Sequence, residues 1–288
     1  MVTDREPAGR NWHFPMVAQL LQWLRDARHQ SKHSSSAGLG PVLLLCVLMA
    51  FPADAADPRE SAPRTLVITY HVAPANRLAF RREMEQSGLR QLQRWKDDGV
   101  LQSYRVLMNR YVDSTNWDAM ALLSFDKEAD IERWKSIELE APAGLSQKAL
   151  ALATAIDTVP ADLMRQNGTA QSGGSSVFLV IPYEYVVPLD DYIAYLDGYV
   201  LPQSDGWMEE GVLAGYGVYL ARYPAGRRWQ SLLVLEYKSD HALGARDAAV
   251  AKVRTRLKEN PKWKAISDSK KNVRVEKTPM IADPIAAQ

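Results

Sequence analysis

Trp95-Lys96-Asp97-Asp98-Gly99-Val100-Leu101-Gln102-Ser103-Tyr104 returns 112 residues later as Trp207-Met208-Glu209-Glu210-Gly211-Val212-Leu213-Ala214-Gly215-Tyr216. In the same register Val106, Arg110, Tyr111 and Trp117 recur as Val218, Arg222, Tyr223 and Trp229, giving nine identities in a 23-residue window without a gap. A solenoid repeat is about 20–45 residues long, so a period of this length is that of a whole small domain. The chain reads as a duplicated domain.

Working outward, each copy shows the same order of patterns. Thr65 to Val72 alternates and is β-branched, and Arg77 to Asp98 carries Leu78, Met84, Leu89, Leu92 and Trp95 at helical spacing before Gly99 closes the helix. Val100 to Tyr111 and Trp117 to Phe125 predict a hairpin about the turn formers Asp113-Ser114-Thr115-Asn116. A helical region from Lys127 toward Ile156, broken near Pro142 and Gly144, leads to a strand over Asp157 to Arg165. The second copy predicts a strand at Val177 to Val186, a helix at Leu189 to Glu210, and hairpin arms Val212 to Tyr223 and Trp229 to Tyr237. A helix at Ala242 to Glu259 and a last strand around Val273 to Met280 follow. The domains are thus 56–166 and 177–288, joined by the Gly/Ser-rich linker 167–176.

The order β-α-β-β-α-β is the ferredoxin-like unit, an antiparallel sheet with both helices on one face. Two such units in one chain can bury their bare sheet faces against each other. On this element order and on the helix-Gly-Val-Leu-x-x-Tyr-strand junction, residues 65–283 resemble the dimeric α+β barrel superfamily. The resemblance implies an α+β fold of two tandem ferredoxin-like units forming a barrel-like pseudo-dimer. That superfamily includes antibiotic-biosynthesis and haem-degrading monooxygenases and the two-repeat chlorite dismutases. A chlorite dismutase-like haem ligand would be a His in the first helix of the second copy, and Leu189 to Glu210 contains none.

Ahead of the repeats, Leu39 to Phe51 is apolar apart from Gly40 and Pro41 and precedes the small-residue site Ala53-Asp54-Ala55. This predicts a signal peptide with a long n-region over 1–55, cleavage near Ala55/Ala56, and a periplasmic or secreted product without a stable membrane anchor. The remaining chain has 30 Lys/Arg and 30 Asp/Glu, leaving no basic footprint for nucleic acid or an anionic bilayer. Cys46 is the only cysteine and departs with the leader, so disulfide, thiolate and Cys-ligated metal chemistry are excluded for the cleaved protein. His71 and His241 are its only histidines, and they fit no metal-ligand spacing, so neither a metal nor a cofactor is expected. His241, after Ser239-Asp240, reads as incidental to a helix cap.

Strand parity separates two faces in each hairpin. Ser103, Arg105, Asn109 and Tyr111 share one face, as do Gly215, Gly217, Tyr219 and Tyr223. That polar, glycine-containing face is the better lining for a cavity. Arg105, Asn109, Tyr111, Tyr219 and Tyr223 are therefore candidate ligand contacts. Arg110 and Arg222 either pin the hairpins over Trp117 and Trp229 or bind a ligand carboxylate. His71 and Glu184, each after a tyrosine in an apolar first strand, are the candidate acid and base, against the alternative that both face solvent. Trp95 and Trp207 read as indoles packing helix on sheet. Three functions follow. The chain is an exported protein binding a small apolar or aromatic molecule between its sheets, a cofactor-independent monooxygenase or isomerase using His71 and Glu184, or a structural protein with a filled barrel.

Overall fold

The computed structural model describes residues 64–168 and 175–286, and all of them fall within one compact unit, Ala55–Gln288. The expected signal segment and most of the linker lie outside the described residues. The first half contains β1 (Arg64–Val72), α1 (Arg77–Glu83), α2 (Leu89–Asp97), β2 (Ser103–Asn109), β3 (Ala119–Phe125), α3 (Glu128–Glu140), α4 (Gln147–Leu152) and β4 (Ala153–Gly168). The second contains β5 (Val177–Tyr185), α5 (Leu189–Tyr195), α6 (Leu201–Glu209), β6 (Leu213–Ala221) and β7 (Ser231–Tyr237). These are followed by α7 (Asp240–Gly244), α8 (Arg246–Leu257), α9 (Pro261–Ser269), β8 (Arg274–Glu276) and β9 (Met280–Pro284).

Within the first half the strands neighbour one another in the order β4, β1, β3, β2, and within the second β9, β5, β7, β6. Two seams join the halves. The end of β4 pairs with β6 from Ala161↔Ala221 to Gly168↔Gly215, and β9 pairs with β2 from Leu107↔Pro284 to Asn109↔Ala282. The result is a mixed α+β fold around a closed, eight-stranded antiparallel barrel, with β8 added beside the far half of β5. Closure removes the sheet edges that would otherwise need covering.

Both faces of most strands are buried, which is why β7, Ser231–Tyr237, is inaccessible along its whole length. Ile68, Tyr70, Val106, Met108, Ala121 and Leu123 face outward onto Phe80, Met84, Leu92, Trp95 and Trp134 of the helices. Leu233, Leu235 and Tyr237 do the same against Tyr192, Tyr199, Trp207 and Trp263. The alternate residues point inward, and Val67, Leu107, Met120, Leu122, Val180, Leu232, Val234, Trp117 and Trp229 pack into one apolar cluster. The centre of the barrel is therefore filled with side chains.

Three elements differ from the sequence expectation. The alanine-rich stretch expected to stay helical to Ile156 turns into strand at Ala153, because β4 is held from Val72↔Ala153 onward by β1 and its ladder outweighs alanine's helix preference. The same strand continues through Asn167 and Gly168, which the sequence assigns to the linker. The last strand is split into β8 and β9, and α9, started by Pro261 and capped by the Asn260 side chain, was not expected at all. Among the described residues no helix is long and apolar enough to cross a membrane.

Candidate functional site

At the end of the barrel where β2 and β6 begin, a recess of about 210 Å³ opens between the two halves. Its walls include Ser103, Arg105, Gln166, Gly217, Tyr219 and Glu236. Arg105 and Glu236 come from different halves and meet across the opening, Nη1 to Oε2 at 3.1 Å. Glu236 is only 4% exposed, and its other oxygen accepts the Ser176 hydroxyl at 3.0 Å. The Arg105 guanidinium also lies over the Phe178 ring, 4.8 Å from its centroid. A carboxylate this deeply buried is held by a charge-assisted pair, a hydroxyl and a cation on an aromatic face.

The sequence repeat relates residues on the two sides of the recess. Position for position, Arg105 faces Gly217 in the other half, Ser124 faces Glu236, Leu107 faces Tyr219 and Ser103 faces Gly215. Side chains added in one half coincide with side chains missing from the other. A Cβ at Gly217 would sit 3.1 Å from the Tyr219 ring, which lies over that glycine. A Cβ at Gly215 would sit 2.8 Å from the Asn167 carbonyl, so β4 and β6 approach closely only because Gly215 has no side chain. Burial raises the Tyr219 phenol pKa, partly offset by Arg105, so its hydroxyl stays protonated at neutral pH. Beside the opening, the Tyr216 hydroxyl and the Asn167 amide both donate to Asp205, each at 2.9 Å.

Of the residues singled out from sequence, Arg105 and Tyr219 line this recess. Asn109 shares their strand face but lies at the other end of β2, buried, with its amide donated to the Trp117 carbonyl at 3.1 Å. Tyr111 and Tyr223 follow the ends of β2 and β6 and are 62% and 70% exposed. Arg110 donates to Asp283 at 3.1 Å and Arg222 to Asp162 at 2.7 Å, so each guanidinium ties its hairpin to the seam strand. The indoles of Trp117 and Trp229 lie in the barrel interior instead of beneath those cations. His71 and Glu184 belong to the far ends of β1 and β5. His71 is six residues beyond Thr65, roughly 20 Å along the strand, and Glu184 pairs with Lys277 at 2.6 Å. Neither lines the recess. Trp95 and Trp207 pack in the two helix-sheet layers.

Sequence reasoning missed Glu236, Ser176 and Phe178. The signal for Glu236 was present: a lone acid at an inward position of an otherwise apolar strand, Ser231–Tyr237, must have a buried partner. Among the described residues no three His, Cys, Asp or Glu side chains are grouped as metal ligands would be.

No protein-family profile matches the chain, and no curated protein matches it. Among solved structures it is similar to a proposed monooxygenase from Lactobacillus acidophilus NCFM, at 12% identity and a TM-score of 0.49, over 79% of this chain and 97% of that one. An anthrone oxidase-like protein gives 15% identity and a TM-score of 0.47, over 78% and 92%. A heme-binding protein from Thermus thermophilus gives 11% identity and a TM-score of 0.44, over 77% and 91%. Likenesses this distant assign no chemistry. For haem in particular the donor set does not fit: neither His71 nor His241 reaches the recess, and 210 Å³ is too small for a macrocycle.

Proposed function

We propose that the chain is an exported, single-chain pseudo-dimer of two ferredoxin-like units that binds a small molecule in the recess at the Arg105–Glu236 end of its barrel. The observation that carries this reading is the ion pair itself. A buried carboxylate and a guanidinium from opposite halves converge on open volume, where two glycines stand in place of side chains. Ligand clefts usually measure about 300–1,000 Å³, and a cavity of about 150 Å³ already holds benzene. A recess of 210 Å³ therefore suits a one-ring molecule. The walls provide Ser, Gln, Asn, Arg and Glu groups beside Tyr219 and Leu163, so the ligand pairs a ring with a polar substituent and is more polar than the sequence reading expected. An acid-base enzyme reading draws support from Arg105 and Glu236 rather than from His71 and Glu184, which stand away from the recess. The filled barrel centre agrees with a structural role for everything except this one end.

The test is native mass spectrometry of the protein purified from an exporting bacterial host. The expected result is a chain beginning near Ala56 that carries a small added mass, which is lost in Arg105→Met and in Ser124→Leu; the latter fills the recess without touching the ion pair. An added mass retained by both variants would sink the assignment of the site. An intact residue 1–55 segment would sink the export reading alone.

A further inference from the structure

The first half has a second cavity, and the side chains at the matching positions of the second half show what kind of group belongs there. Between α2 and α3 lies about 270 Å³ of open volume with an apolar floor of Trp95, Ile137, Ala141 and Leu145. Its polar rim includes Ser87, Gln91 and Ser146. In the second half the matching groove is filled by the chain's own side chains. Tyr199 stands where the first half has Ser87, Val200 where it has Gly88, and Val253 where it has Ala141. Tyr199 is buried and stacks on Trp263, with centroids 5.0 Å apart and planes 23° apart, while the indole N–H donates to the Tyr199 carbonyl at 3.2 Å. Val253 closes over Gly206, its methyl 2.5 Å from where a Cβ would stand. Trp263 rides on α9, which precedes the last strands of its half as α4 precedes β4, and at the same offset the shorter α4 carries Ala151 in place of a ring.

We propose that the α2–α3 cavity is a ligand site for a neutral, single-ring aromatic molecule carrying a hydrogen-bonding group, of phenol or indole size. The aromatic ring is what the other copy places in the equivalent groove, and the polar group is what the rim can meet with the Gln91 amide N–H and the remaining lone pair of the Ser87 hydroxyl, since Ser146 already bonds to Glu83 and the Ala149 N–H and Ser87 also bonds to Glu83. Neutrality follows from the rim charges, since Arg94 and Glu140 are both present and offset each other. Replacing water over an indole floor with a ring is the usual driving force for such sites. This site lies in the helix layer, apart from the barrel recess, and does not depend on it.

The test uses p-cresol, titrated into the isotopically labelled protein and followed by amide and indole shifts. The expected result is saturable binding with a dissociation constant of about 1 mM or below and shifts centred on Trp95 and Leu145. Ser87→Tyr/Ala141→Val, which copies the second half, should weaken binding at least about tenfold while holding or raising the unfolding temperature, as expected when a cavity is filled. Gln91→Trp, filling the same space from a half-exposed rim position, should do likewise should the double variant not fold. Binding unchanged by filling, shifts centred on Ser103 and Gly217 instead, or no binding at about 10 mM would each overturn the proposal.

Discussion

The two halves of this molecule are one design carried to two different ends. Both first helices pass through a single π-helical turn at the same place, Met84–Gly88 and Leu196–Val200. Both close on a glycine in the left-handed region, Gly99 at φ +67° and Gly211 at φ +77°, where a side chain would be strained. Both place an arginine on a seam aspartate, Arg110 on Asp283 and Arg222 on Asp162. What differs is what fills the space. The second half packs Tyr192, Tyr195, Tyr199 and Trp263 into its helix layer, whereas the first has Phe80, Glu83, Ser87 and Ala151 at these positions. At the barrel end the halves complement each other, cation from one and carboxylate from the other. The repeated features fix the chain path and close the barrel, and the divergent ones create or fill cavities, so function is more readily sought in the differences.

Undoing a difference should therefore cost most where it leaves a buried group unmatched or overfills a packed layer. The largest effect is expected at the mouth: Arg105→Ala leaves Glu236 buried without its cation and should destabilise the protein by about 2–4 kcal/mol, less than a fully buried pair because Arg105 is partly exposed. Arg105→Ala/Glu236→Ala removes both charges and should recover most of that loss. Urea unfolding of the two variants measures it, and a double variant as unstable as the single one would show that the pair is incidental. Next comes the helix layer. Gly206→Arg, copying Arg94, drives a side chain into Val253 and should cost about 1–3 kcal/mol by overpacking. The reverse swap, Arg94→Gly, sits at an exposed position beside the open cavity and should cost only the helix penalty of glycine, about 1 kcal/mol. Equal losses in the two thermal unfolding curves would mean that the layers are packed alike and the comparison is empty.

The repeated features were legible because they recur. Nine identities in register, including both helix-ending glycines and both seam arginines, marked the two copies whose local patterns predicted the order of elements. Strand parity likewise grouped Arg105 with Gly217 and Tyr219. What stayed hidden arises from contact across the barrel. Arg110 and Arg222 could not be matched to Asp283 and Asp162 from spacing alone, since a seam between halves has no local signature. Glu236 was passed over because its partner is on another strand far away in sequence. Helix α9 stayed hidden although Asn260-Pro261 is a start signal, because its counterpart α4 is only six residues long and gives the repeat no helical period there.

The smallest expected effect tests the comparison inside the second layer. Tyr192 is fully buried, stands where the first half has Phe80, and its hydroxyl makes no hydrogen bond of good geometry, with Ser231 and Arg274 its nearest polar neighbours. Tyr192→Phe thus removes a poorly bonded buried polar atom, and at pH 7 it should change stability by no more than about 1 kcal/mol. The pH dependence distinguishes this from a chance tolerance. Burial holds the Tyr192 pKa above the ordinary phenol value near 10. Above about pH 10 the unfolded chain ionises while the folded one does not, so the stability this group contributes is complete below that pH and is lost as pH rises toward the folded value. The same direction holds for Tyr183, Tyr195 and Tyr237 of this layer and for Tyr70 and Tyr104 of the first. Tyr192→Phe should accordingly flatten the fall of unfolding temperature between pH 9 and 11, and Tyr70→Phe should flatten it by no more than that one residue's share. Identical pH profiles for wild type and Tyr192→Phe would mean that this phenol is already solvated in the folded protein, and that the second layer is looser than its packing indicates.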